Sequence, residues 1–115
     1  MIIFKVVKRM RDGQRCSATS MGRRLSYEQN KMTVPPPGCG PLAAFKDFGH
    51  ARSFAHALSD TSHSMEVWEA EGMPSDEDKV YCVEFFGMAL DILPKNTVLM
   101  KEITLVRLIG DAGGH

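Results

Sequence analysis

LAAFKDFGHARSFAHALSDTSHSMEVWEAE, residues 42–71, is the stretch on which the fold turns. Leu42–Phe45 is a short apolar run of strand type. Asp47 stands where a helix N-cap is needed, its carboxylate placed to accept from the free N–H groups of a first turn. Phe48, Ala51, Phe54, Ala55 and Leu58 recur at helical spacing, which predicts a helix over about 47–59 with one buried face. His50, Ser53 and His56 fall outside that stripe. The polar residues 59–64 read as a turn, and Met65–Glu71 resumes as a strand around Val67 and Trp68. A strand–helix–strand unit is therefore the expected core of the fold.

On the N-terminal side, Ile2–Arg9 alternates as a half-buried strand, with Ile2, Phe4 and Val6 on one face and Lys5 and Arg9 on the other. Charge follows its apolar start directly, so it reads as a first strand and not as a signal peptide. Asp12-Gly13 is a hairpin signal, because glycine accepts the positive φ of a tight turn. A second strand over Arg15–Met21 and a third over Leu25–Tyr27 complete an antiparallel meander, basic on its exposed face. Residues 35–41, Pro-Pro-Pro-Gly-Cys-Gly-Pro, form a stiff irregular connection.

On the C-terminal side, residues 75–93 carry mixed signals. Ser75-Asp-Glu-Asp78 resembles a capping box, whereas Val80–Phe86 is rich in β-branched and aromatic residues and favours a strand. Pro94–Thr97 is a turn. Val98–Ile109 is a long strand, apolar on both faces, with a bulge expected near Lys101-Glu102. The fold class is α+β: an antiparallel-rich sheet around one core over residues 1–110, with a flexible tail over 111–115.

Composition bounds the function. The 115 residues are 43% apolar and 24% charged, a globular balance with the length of one domain. No apolar run reaches the ~20 residues that span a bilayer, so a cytoplasmic protein without a membrane partner is expected. Cys16, Cys39 and Cys82 are odd in number and widely spaced, as reduced thiols are and disulfide or zinc frameworks are not. Cys39 lies in the Pro/Gly loop, where a thiol is open to a ligand. Net charge is zero, yet residues 1–31 balance at +6 and residues 32–95 at −6. Lys8, Arg9, Arg23 and Arg24 thus form a surface for an anionic partner, unless the two blocks neutralise each other.

Chemistry-bearing constellations are few. His50 and His56 do not share a helix face as a zinc pair does, so no metal and no cofactor are expected. Glu69 and Glu71, ~6.6 Å apart on one strand face, are candidate acid–base carboxylates. Trp68, on the opposite face, is a candidate stacking residue. No nucleophile elbow or phosphate loop is present in the sequence.

Phe4-Lys-Val-Val and residues 36–55, PPGCGPLAAFKDFGHARSFA, resemble small uncharacterised proteins of phages and mobile elements. That resemblance covers about half the chain and implies an accessory protein without an assigned activity. The strand–helix–strand layout is also similar to the centre of ADP-ribosyltransferase-like folds. That likeness implies a nucleotide pocket with Phe54 as the stacking aromatic and Glu69, Glu71 or Glu102 as the carboxylate. The chain departs from that family in lacking its early His-Gly or Arg. The leading expectation is a non-enzymatic binding or regulatory module acting through protein contacts, with itself as a homodimer or with another protein. The alternatives are the nucleotide-binding reading and nucleic-acid binding through the basic residues 1–31.

Overall fold

The computed structural model describes residues 1–10, 13–17, 26–35, 41–58, 64–76, 79–82, 85–89 and 95–112. In chain order the elements are β1 (Ile2–Arg9), β2 (Arg15–Ser17), β3 (Ser26–Tyr27), β4 (Met32–Thr33), β5 (Leu42–Phe45), α1 (Phe48–Leu58), β6 (Ser64–Pro74), β7 (Lys79–Cys82), β8 (Phe85–Ala89) and β9 (Thr97–Ala112). The fold is α+β, a sheet of antiparallel strands with one helix among the described residues.

The strand–helix–strand unit forms as its pattern requires. The Asp47 carboxylate accepts the His50 backbone N–H at 2.9 Å, closing the first turn of α1. Ala51 and Ala55 are fully buried, and their small side chains let the helix lie close on the sheet. Phe48 and Phe54 flank them, packed with Val6, Phe45, Met65 and Val67. Leu58, the last residue of the expected stripe, is instead exposed.

β6 is the central strand. It pairs with β1 from Ile2↔Glu71 to Arg9↔Ser64 and with β9 from Met65↔Ala112 to Pro74↔Met100. β5 then joins β9 at Leu42↔Met100 through Phe45↔Thr97, and joins β1 through the one pair Phe4↔Phe45. The circuit β1–β6–β9–β5–β1 therefore closes on itself, and the sheet has an inside and an outside. Such closure needs strong coiling. β9 supplies it with three register shifts against β6, in which Ile109, Val106 and Lys101 are the extra residues. The third is the bulge expected near Lys101-Glu102.

The interior is filled by Ile3, Val7, Tyr27, Leu42, Ala44, Trp68, Ala70, Met100, Ile103 and Leu105. One expectation fails here. The alternation of β1 predicts a solvent-exposed face at Lys5, but Lys5 is fully buried. Closure turns its face inward while α1 packs over Val6 and Phe4 on the other, so the middle of β1 is covered on both sides and only its ends, Ile2 and Arg9, stay exposed.

Gly72 stands opposite Ile103 in the β6–β9 ladder. A Cβ there would lie 2.9 Å from the Glu102 carbonyl oxygen and 2.7 Å from the Met100 Cε. A flexible methionine tip can move aside, but a paired backbone carbonyl cannot. Gly72→Ala is thus expected to lower stability by about 2 kcal/mol, read from chemical denaturation midpoints. An unchanged midpoint would show that the ladder can give way at this point.

Other boundaries differ in informative ways. Gly13 adopts φ 87° and its N–H donates to the Met10 carbonyl at 2.9 Å, making the expected hairpin turn; Asp12 lies outside the described residues. The described part of the second strand is Arg15–Ser17, and β3 begins at Ser26. β4, a two-residue strand, has no signal in the sequence. The single strand expected at 80–86 is instead divided between β7, which ends at Cys82, and β8, which starts at Phe85, paired antiparallel at Lys79↔Ala89, Val80↔Met88 and Cys82↔Phe85; residues 83–84 lie outside the described residues. β9 continues past Ile109 to Ala112, so 111 and 112, expected in the tail, belong to the strand; 113–115 lie outside the described residues. No helix among the described residues is long and apolar enough to cross a membrane.

Candidate functional site

Closure sorts the chemistry-bearing side chains onto two surfaces, because directly paired residues on neighbouring strands share a face. The inner surface carries a polar line at one end of the apolar filling. Glu66, only 2% exposed, accepts from Arg15 Nε at 2.7 Å and from Trp68 Nε1 at 3.0 Å through one oxygen. Arg9 approaches its other oxygen at 3.7 Å. The Arg15 guanidinium lies 5.0 Å from the Trp68 ring centre, a cation–π contact. Deeper in, Lys5 Nζ donates to the Ala43 carbonyl at 2.6 Å and sits 5.5 Å from the Tyr27 ring centre. Burial lowers the Lys5 pKa from 10.5 to about 7, since an ammonium loses its hydration there.

This inner line is a packed strut. Trp68, expected as a stacking residue, is buried with its indole N–H bound to Glu66, so its ring is not presented to a ligand. Arg9, expected to meet an anionic partner, leans on Glu66 together with Arg15. Two residues of the basic block are thus drawn to a carboxylate of the acidic block within one chain. Lys8 is half-buried, opposite Met65 and Cys16. Arg23, Arg24 and Cys39 lie outside the described residues.

The outer surface is divided by α1. Helix side chains cover Val6, Met65 and Val67, and Phe54 is spent there with its ring centre 5.2 Å from that of Phe45. Beyond the helix the same face is open. One row across four strands runs Ile2, Glu71, Thr104, Met32. The next holds Met73 opposite Glu102, with Val34 two residues on from Met32. Ile2, Met32, Val34 and Met73 are among the large apolar side chains that this protein exposes. The three glutamates singled out in the sequence gather on this face. Glu69 is held by Arg107 at 3.1 Å, while Glu71 and Glu102 make no ion pair among the described residues.

The apolar members of this face carry no motif and could be found only by pairing β4, β9, β6 and β1 in register. The sole readable sign was the alternation Glu69, Glu71, Met73 along β6. At the helix start, His50 Nδ1 donates to Asp47 Oδ2 at 2.8 Å and Asn96 Nδ2 donates to Asp47 Oδ1 at 2.8 Å. The Asn96 amide, followed by the His50 side chain and backbone N–H, lowers the Asp47 pKa from 3.8 to about 2. These bonds join the helix cap to the turn before β9, where Asn96 adopts φ 65°.

Among the described residues, no three His, Cys, Asp or Glu side chains are grouped to hold a metal ion. The chain matches no protein-family model, no curated protein and no solved structure.

Proposed function

We propose that this protein is a non-enzymatic module that works through protein contacts, and that the open half of the outer sheet face is its contact surface. One observation carries the reading. Ile2, Met32, Val34 and Met73 are exposed on or beside adjacent paired strands, interleaved with Glu71, Thr104 and Glu102. Apolar side chains gathered on one face with polar groups between them mark an interaction site more often than scattered exposed residues do. The surface rests on a closed sheet, which holds its geometry fixed before a partner arrives.

The test is site-specific photo-crosslinking in cells that produce the full chain. A photoreactive residue in place of Met73 is expected to give a discrete adduct with another protein. The same residue in place of Arg52, exposed on α1, is expected to give none. Equal labelling from both positions, or none from position 73, would sink the reading.

A further inference from the structure

We infer that the partner meets this face with a cationic apolar segment, one in which lysine or arginine flanks hydrophobic side chains. The inference rests on the contact-face reading above and names the partner's chemistry. Glu71 stands between Ile2 and Thr104 in its row, and Glu102 stands opposite Met73. Any partner that covers these apolar side chains also takes the two carboxylates out of water. A carboxylate buried without a counter-charge is costly, so a matching partner supplies cations at those two places.

Among the described residues no cation of the protein pairs with either carboxylate, and the Met1 ammonium donates to the Gly72 carbonyl at 3.2 Å. Arg107 is held by Glu69, and Lys31, beside Met32, is held by Glu28 at 3.5 Å. Lys101 is the extra residue of the bulge and stands outside the register. A second copy laid face to face would bring the same two carboxylates to an already acidic face, adding like charge. Charge complementarity therefore favours a different, basic partner over self-association.

The experiment pans random short displayed peptides against the immobilised full chain, then measures recovered peptides against the soluble chain and its variants. Met73→Arg, and Glu71→Gln with Glu102→Gln, change exposed or half-exposed positions; far-ultraviolet circular dichroism confirms that each variant stays folded. Recovered peptides are expected to combine Lys or Arg with apolar residues. Their affinity is expected to fall about tenfold on removing both carboxylates and to weaken with added salt. Peptides that lose binding to Met73→Arg but not to the double glutamine variant would overturn the inference and leave the contact face standing. Peptides indifferent to both variants, or none recovered, would overturn the contact face as well. Sedimentation showing a dimer that Met73→Arg dissociates would make a second copy the occupant and end the inference.

Discussion

Lys5→Met is expected to stabilise this protein, by about 2 kcal/mol near pH 6, where an apolar side chain of similar reach replaces a buried ammonium. The physical ground is burial. Lys5 is fully enclosed, its amine held by the Ala43 carbonyl at 2.6 Å with the Tyr27 ring nearby and Trp68 opposite in the ladder. Those contacts do not restore the lost hydration, and the pKa falls from 10.5 to about 7.

The sign of the pH effect follows. Between about pH 7 and 10.5 the unfolded chain keeps the proton that the folded chain releases, so wild-type stability rises with pH across that window. Below pH 7 both states carry the proton and the penalty is complete. The advantage of Lys5→Met should therefore fall between about pH 6 and about pH 10, at roughly 1.4 kcal/mol per pH unit in the middle of the window, and reverse before the upper end. Urea unfolding of both proteins across that range reads it directly. A variant less stable than wild type near pH 6, or a difference flat in pH, would show that the amine is well solvated in the folded state.

Glu66→Ala should act in the opposite direction and strongly. Glu66 gathers Arg15, Arg9 and the Trp68 indole N–H in a nearly closed site. Its removal leaves the buried indole without that acceptor and Arg15 without its counter-charge, and breaking buried pairs of this kind typically costs about 3–5 kcal/mol. Arg15 retains some contact with water, with 26% of its side chain exposed. The lower end, about 3 kcal/mol, is therefore expected, or a fall in Tm of roughly 10 °C. Glu66→Gln keeps an oxygen for Trp68 and should lose about half as much. Arg9→Ala should be nearly silent, because its contact is long and its side chain mostly exposed. Calorimetry on the three variants orders them. If Glu66→Ala matched Arg9→Ala, the buried cluster would contribute nothing and the interior would rest on its apolar filling alone.

The local parts of the fold were legible because each announces itself within a few residues. Asp47 before a stripe of Phe and Ala spells a capped helix, Gly13 spells a turn, and the doubly apolar pattern of β9 spells a central strand with neighbours along both edges. Ring closure was not legible. It depends on Phe4 meeting Phe45 across long sequence separation, and no local pattern reports that encounter. The misplacement of Lys5 follows from this one omission: a lysine alternating with apolar residues looks solvated unless the sheet is known to curl over it. The candidate site divides the same way. Glu69 and Glu71 share a face by spacing alone, whereas Glu102, Met32 and Ile2 join them only through the β9 register and its bulges. The charge blocks were visible as sums, but that Arg9 and Arg15 both reach Glu66 is a fact of packing.

The ring closure also bears on how this chain behaves when crowded. A long strand with a free side offers a row of unpaired N–H and C=O groups on which other chains can grow as cross-β assemblies. Here β1, β6 and β9, the three longest strands, each have partners on both sides over part or all of their length. The strands that end the pairing order are the two-residue β3 and β4, too short to template much growth. The weak point is the β1–β5 seam, joined by one residue pair and the Lys5 amine. A chain that opened there would present β1, with its Ile-Ile-Phe and Val-Val runs, to its neighbours. Lys5 would then return to water in the middle of that segment, as a gatekeeping charge against aggregation.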